Sequence, residues 1–555
     1  MEKVKIVILG SGFAGMFTAK YLRKYAPKNV EIELVNETNY FIFQPLLPEV
    51  AAGNITASDA VSPLRRLLPG VHIRQAKVRG IDFSNKTVSV IDNTQHIPVD
   101  LSYDHLVLAL GQAVDLTRFP GVQEHAMTMK TLTDAYRLRN HIINTLELAD
   151  VTHVPTLKRK LLTYVIVGAG FSGVETVGEM KDMIDRTLKY YPNIDPQEIR
   201  IILVEYADRI LQELPEKLST YAARKLEKRG IEVWLNTATK SASARIVEME
   251  DGRIIETATF VATIGTAPSP LVKELGLDLK WGRIIVDGTM KVPGKENIWA
   301  VGDAALIPLG DKPASEDGDK GEEPAYAAPT AQFAQREAQT LARNIVADIG
   351  DRPLKNFNFK PMGSFASIGQ HKAVAVLFGI KLSGTITWLL WRTLYLGMLP
   401  GLSAKVRVMM NWLLDHFFPR STVQVQQVER HSVRNVRFSK GDVVFRPGML
   451  ADGFYTVLSG SFSLDIENPE GGEAYHRVLG PGDHFGERVI FEEDLRVGLV
   501  TANEDSYCMM IESEDFLRFA SCFKFLEDYF KNYINGYFPE NLRPKSMTCR
   551  TGKPE

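Results

Sequence analysis

The chain opens on VKIVILG, an apolar run broken by one lysine, and passes at once into FAGMFTAKYL, where apolar positions recur at helical spacing. Such a run predicts a strand buried on both faces, and the change of period predicts a helix packed on it. The same switch returns in TYVIVGAGFSGVETVGEM at 163–180, and IRIILVE, YDHLVLALG and NIWAVG read as further buried strands. From 403 to 418 the period is helical again: Val406, Met409, Met410, Leu413, Leu414 and Phe417 form an apolar face, with Arg407, Asn411 and Asp415 as a narrow polar stripe. Beyond 433 the pattern turns to short alternating strands punctuated by Gly441, Gly448 and Gly460, the mark of an all-β unit. The expected fold is α/β, with two Rossmann-type units, an amphipathic helical segment and a C-terminal jelly roll. The boundaries follow: 1–115 with 275–350, then 116–274, 351–425, 426–540 and a tail at 541–555.

Composition narrows the options. A chain of 555 residues is too long for one core. Its 65 basic and 67 acidic residues give a net charge of -2, no global footprint for nucleic acid. Cys508, Cys522 and Cys549 are its only cysteines, which suggests neither a disulfide framework nor a metal site. An apolar stretch that starts at residue 4 and ends in a glycine loop is not a signal peptide, so an intracellular location is expected. The most apolar region, 377–418, is interrupted by Lys381, Arg392, Pro400, Lys405 and Arg407, so it does not reach the roughly 20 uninterrupted apolar residues of a membrane span. Trp388, Trp391, Tyr395 and Met398 suit a headgroup boundary, and Arg392, Lys405, Arg407 and Arg420 suit lipid phosphates. The acidic stretch 311–323 reads as a solvated loop.

The two strand–helix turns carry chemistry. In Gly10-x-Gly12-x-x-Gly15 the first glycine makes the turn, the second admits a pyrophosphate to the backbone, and the third lets helix and strand close up. Gly168, Gly170 and Gly173 repeat the spacing, so two dinucleotides are expected, each on a positive helix N-terminus. Glu205, at the end of the next strand, suits a ribose 2′-OH and repels a 2′-phosphate, favouring NADH. The corresponding position in the first unit is Asn36, followed by Glu37, and either can hold the other ribose. Gly111 ends a strand in a turn, and Asp303 is delivered to the start of a helix, where it reads either as an N-cap or as a ligand to a cofactor.

Taken together, these segments resemble the flavoproteins with two dinucleotide domains, in which the residue matching Asp303 bonds the ribityl chain of FAD. No cysteine precedes residue 508, which excludes relatives that use a redox disulfide. TNYFIFQPLLPEVAAG, ADRILQELPEKLSTYAARKLEKRGIEV, APTAQFAQREA and the 382–418 segment resemble type II NADH:quinone oxidoreductases over roughly residues 1–425. The resemblance implies FAD as cofactor, NADH as substrate, a quinone as acceptor, a homodimer, and a peripheral place on the cytoplasmic side of the cell membrane. It puts Gln332 and Gln335 beside the quinone head group and Glu175 near flavin and quinone as a proton relay, against the plainer reading of Glu175 as a helix-start carboxylate. A soluble NADH-dependent reductase of another electron carrier is one rival, and a redox-signalling protein is the other.

VLGPGDHFGERVIFEEDLRVGLVTA, 478–502, resembles the phosphate cassette of cyclic-nucleotide-binding domains. That likeness implies cAMP or cGMP as ligand, held by Gly486, Glu487 and Arg496, with Arg496 facing the cyclic phosphate and Glu487 the ribose. Leu495 and Leu499 depart from the pattern, where proline and a small or hydroxyl residue are usual.

Overall fold

A computed structural model describes residues 3–92, 98–309, 325–424, 433–467, 474–490, 495–522 and 524–538. The stretch 311–323, the 426 boundary and the 541–555 tail lie outside them.

The first strand, Val4–Leu9, lies inside a seven-stranded sheet between His105–Leu108 and Val30–Asn36. Ile298–Ala300 flanks His105–Leu108 at one edge. The five strands from Ile298–Ala300 across to His72–Asp82 are parallel, while Thr87–Asp92 and Pro98–Ser102 finish the other side antiparallel. Ile6, Val7, Ile8 and Leu9 are wholly buried, side chains of both faces alike, which explains why the run has so little polar alternation. A second parallel sheet runs Ile231–Trp234, Arg200–Val204, Thr163–Val167, Thr259–Ala262. An antiparallel sheet of Thr239–Ala242, Ile246–Met249 and Ile254–Glu256 packs on it through Val247, Met249 and Ile255 against Val165, Val167, Ile202 and Val204. A ribbon pairing Gln112–Val114 with Thr266–Pro268 carries the chain between the two units.

The chain then forms the helix Ala331–Ile349, a three-stranded antiparallel sheet (Gly363–Ser367, Ala373–Leu377, Ile380–Gly384) and a hairpin of helices, Thr385–Met398 and Leu402–Phe417. This hairpin inverts the usual polarity of a surface helix. Its polar stripe points inward: Arg407 Nε donates to Asp59 Oδ1 at 2.6 Å and Asn411 Nδ2 to Asp59 Oδ2 at 2.5 Å, while Asp415 pairs with Arg186 and Arg420. The apolar face points outward, with Leu402 78 % and Phe417 76 % exposed and Val406, Met409, Met410, Leu413 and Leu414 beside them.

Two expectations for this segment are corrected. Trp391 is buried and Tyr395 packs inward against Trp391 and Phe43, so neither stands at the outer boundary. Of the four cations, Arg420 is buried against Asp415 and Glu179, Arg407 is held by Asp59, and Arg392 is sandwiched over the Trp388 and Trp412 rings. Lys405 donates to the Gly397 carbonyl. Their charge braces the hairpin. No helix among the described residues is long and apolar enough to cross a membrane.

The C-terminal part is two four-stranded antiparallel sheets facing each other. One is Val433–Phe438, Ser506–Glu512, Gly453–Ser459, His484–Phe485; the other is Val443–Phe445, Leu499–Ala502, Phe462–Ile466, Tyr475–Leu479. Phe438, Phe462, Phe485 and Tyr455 fill the space between them. The helices Ser513–Cys522 and Lys524–Tyr537 follow, and Phe516 and Phe530 close the core against Phe454.

Candidate functional site

The two glycine loops are built alike. Gly10 and Gly168 have φ of 97° and 94°, conformations open to glycine, and each donates its N–H to the strand alongside, at Val35 and Val204. A side chain on Gly15 or Gly173 would run into the carbonyl oxygen of Gly10 or Gly168, so the third glycine sets the close approach of helix to loop. Gly12 differs: a Cβ there meets nothing within 4 Å, and at Gly170 only a Glu213 oxygen at 4.0 Å. Open space at the N-cap of an unpaired helix terminus is what an approaching pyrophosphate requires.

The residue at the C-terminal end of each second strand performs the same task. Asn36 Oδ1 accepts from the Ser11 amide at 3.0 Å, and Glu205 Oε2 accepts from the Ala169 amide at 2.6 Å. Asn36 Nδ2 also bonds Thr38, whereas Glu37 is exposed at the strand end. Glu205 Oε1 takes the Ala207 amide at 3.1 Å, and each carboxylate oxygen keeps a lone pair for a ribose hydroxyl.

Asp303 sits in a tight turn after Ile298–Ala300, close to the first loop: Gly302, φ 74°, would strike Ala14 if it carried a Cβ. Burial raises the Asp303 pKa, opposed by Lys130 and Arg283. What holds this turn is announced by no motif in the sequence. Glu337, from the helix Ala331–Ile349, accepts the Gly302 N–H at 2.9 Å, and burial pushes its carboxyl up to about 8. The signal was present, since Phe333, Glu337 and Leu341 share one buried stripe at i, i+4, i+8. Gly111, φ 62°, turns the chain after His105–Leu108 with open space around it. The open Gly12 position, the tight Gly15 and the half-buried Asp303 carboxyl, all at the C-terminal ends of strands of one parallel sheet, fit FAD.

Gln332 and Gln335 come together in a cavity of about 360 Å³ between the first helix and the turn of the hairpin, lined also by Phe17, Met362, Pro400 and Lys405. Gln332 Oε1 accepts the Met362 amide at 3.2 Å. Glu175 does not line this cavity. It lies at the far end of the strand Gly363–Ser367, where the Ser367 amide donates to its Oε1 at 3.1 Å. Full burial lifts its pKa to about 8; the Ser367 bond opposes this, and Glu179 and Glu49 add to it. Glu179, one turn on, is also pushed up to about 8 by burial, against Arg420. Burial likewise raises Glu49, which accepts from the Trp412 indole. Three carboxylates thus converge where both nucleotide units meet the hairpin. Glu49 and Glu179 also went unnoticed in sequence, though LLPEVA sets an acid in an apolar run and Glu175 and Glu179 share a helix face.

In the C-terminal domain Gly486 has φ 88°, and a Cβ there would meet Arg496 Nη1 at 2.7 Å. Arg496 donates to Asp452 Oδ1 at 2.8 Å and to the Gly453 carbonyl, and its guanidinium lies 4.2 Å from the Phe445 ring centre. Glu487 is buried, which raises its pKa. These residues line a pocket with Leu464, Ile466, Leu495, Val497 and Phe538. Its open space is about 40 Å³, well below the roughly 300–1,000 Å³ usual for small-molecule sites. Phe538 closes it, packed on Tyr475 at the end of the last helix. Among the described residues no cluster of potential metal ligands occurs.

Comparison with known proteins follows the same division. The pyridine nucleotide-disulphide oxidoreductase family model matches residues 4–338, the NDH2 C-terminal domain 362–421 and the cyclic nucleotide-binding domain 435–521. The type II NADH:quinone oxidoreductase Ndh of Mycobacterium tuberculosis is 31 % identical over 435 residues, covering 75 % of this chain and 89 % of that protein. A second protein of that organism, the type II NADH:quinone oxidoreductase NdhA, is 33 % identical over 427 residues, covering 74 % and 86 %. NDH2 from Plasmodium falciparum, solved in complex with NADH, superposes with a TM-score of 0.69 at 22 % identity, covering 76 % of this chain and all of that one, a likeness of fold.

Proposed function

The chain belongs to the type II NADH:quinone oxidoreductases, and from that premise we propose how its own residues carry NADH oxidation and quinone reduction. The loop Gly10–Gly15, Asp303 and either Asn36 or Glu37 hold FAD, with Gly111 giving the flavin room. Bound there, FAD supplies the two-electron exchange between nicotinamide and quinone. The loop Gly168–Gly173 and Glu205 hold the NADH pyrophosphate and ribose. Gln332 and Gln335 orient the quinone head group, and Glu175 keeps a proton in reserve in a dry setting.

One observation carries the quinone assignment. The cavity of Gln332 and Gln335 opens at the turn of a hairpin whose outward face is apolar, so an acceptor dissolved in lipid reaches it sideways. That face supports peripheral attachment at a membrane surface, and a second copy of the chain is the other partner it suits. A soluble reductase of another carrier would have no use for it.

Gln332→Leu is expected to slow recovery of the flavin absorbance on adding a soluble quinone by about tenfold or more, while bleaching by NADH changes less than about twofold. Equal loss in both phases would overturn the assignment. Leu413→Asp with Phe417→Asp, both on the outward face, should abolish flotation with anionic vesicles while the NADH–soluble quinone rate persists. Unchanged flotation would remove the membrane reading.

We read the two facing C-terminal sheets as the jelly roll of a cyclic-nucleotide site, with Arg496, Gly486 and Glu487 for phosphate and ribose. Access for a nucleotide then requires Phe538 and the helix before it to withdraw.

A further inference from the structure

The C-terminal domain is fastened to the second unit by specific hydrogen bonds. Arg437, buried in the strand Val433–Phe438, donates through Nη1 to the Ala242 carbonyl at 3.0 Å, and its backbone N–H bonds His125 Nε2 at 3.0 Å. Its own carbonyl accepts the Ala244 N–H at 3.3 Å. Burial lowers the His125 pKa to about 4, so the imidazole is neutral and accepts. Arg245 Nη2 donates to the Val444 carbonyl at 3.1 Å. Gly121, φ 72°, has no room for a side chain between the Ala242 carbonyl and Arg437, so the contact is close-packed.

Both ends of this junction lead to ligand sites. On the C-terminal side, Val444 adjoins Phe445, whose ring carries the Arg496 guanidinium and lines the pocket. Arg496 also ties the loop beside that strand, accepting from the Gly448 N–H and donating its own N–H to Met449 O, both at 2.7 Å. A buried Arg496 Nε has no partner among the described residues, so an incoming phosphate would redirect this group and the ring beneath it. On the other side, the strand gripped at Ala242 begins just after Thr237, whose N–H donates to the Glu205 carbonyl at 2.9 Å. Residues 237–242, of which Thr239–Ala242 are strand, therefore join Arg437 to the residue assigned to the NADH ribose through a stretch of chain at most about 17 Å long. The sheet it belongs to packs directly on the strands that present Gly168 and Glu205.

We propose that the ligand of the C-terminal pocket controls the NADH half of the reaction, through the junction at Arg245 and Arg437 and the strand 237–242, and not the quinone half. This rests on the reading of that pocket as a cyclic-nucleotide site. By linkage, whatever occupancy does to NADH affinity, NADH does equally to occupancy.

The test uses the full-length, FAD-loaded enzyme with cAMP and cGMP as probes. Calorimetry measures their binding with and without saturating NAD⁺, and stopped flow measures bleaching by NADH and recovery with a soluble quinone. The expected result is a shift of about fivefold or more in NADH-dependent bleaching at subsaturating NADH, a shift of nucleotide affinity by NAD⁺ equal to the shift of NAD⁺ affinity by the nucleotide, and unchanged recovery. Arg245→Ala should keep nucleotide binding and lose both shifts, with Arg245→Lys retaining part of them. Binding without a shift, a shift confined to quinone-driven recovery, or full coupling in Arg245→Ala would overturn the inference and leave the pocket reading intact. Failure of both nucleotides to bind would overturn the pocket reading, and the inference with it.

Discussion

Replacing Gly12 by valine leaves a folded protein that has lost its flavin. A Cβ at this position meets no protein atom within 4 Å, and its φ of −64° is open to any residue, so the apoprotein has no reason to unfold. The two added methyls fall instead where the pyrophosphate would meet the helix terminus, and displacing it forfeits several charge-assisted hydrogen bonds of about 1.5–3 kcal/mol each. The expectation is a normal melting temperature for the apoprotein and a loss of FAD affinity of about a hundredfold or more, read from absorbance after gel filtration. Gly170→Val is its counterpart, keeping the flavin but raising the KM for NADH. Gly15→Val is the contrast, since a side chain there strikes the Gly10 carbonyl and the fold itself should fail. If Gly12→Val retains its flavin, the first loop is not the FAD site.

The second large effect concerns Glu175. Burial holds its carboxyl near 8, so it is mostly protonated at neutral pH and becomes a buried anion as the pH rises through that value. As a proton source it acts below about pH 8, so the quinone-driven phase should fall as pH climbs through 8 while NADH-driven bleaching stays flat. Glu175→Gln keeps an acceptor for the Ser367 N–H and removes the proton, so the quinone phase should drop by about 10²-fold and lose its pH dependence. The stability effect has the opposite sense to the usual carboxylate. The native state binds more protons than the unfolded chain between the ordinary value and about 8, so stability falls with rising pH across that window, and Glu175→Gln should flatten the fall. An unaltered pH profile in Glu175→Gln would remove the residue from proton delivery.

What could be read in the sequence was local. A glycine loop is a contiguous piece of covalent geometry, so Gly10, Gly12, Gly15 and their counterparts near 170 announce strand, turn and helix without help from distant residues. The cassette around Gly486 and Arg496 is similarly compact. Orientation was less legible. Tyr395, Arg392, Arg407 and Arg420 are types equally at home at a lipid boundary or in a buried brace, and only their partners Phe43, Trp412, Asp59 and Glu179 decide between them. The same holds for Glu337, whose partner Gly302 lies 35 positions earlier. Such residues are visible in sequence as charges inside apolar stripes, a pattern that flags a buried partner without saying where it is.

The inverted hairpin has a practical consequence for handling the protein. Its inner side is held by ion pairs such as Arg407–Asp59 and Arg420–Asp415, and its outer side presents Ile386, Leu402, Leu413 and Phe417 to whatever surrounds it. Solvent conditions therefore act on the two sides in opposite directions. Concentrated salt screens the half-exposed Arg407–Asp59 pair, leaves the buried Arg420–Asp415 pair largely intact and drives apolar faces together, so a salt wash favours precipitation over release. Mild detergent does the reverse, masking the outer side without entering the inner one, and is the medium in which a monodisperse, active preparation is to be expected.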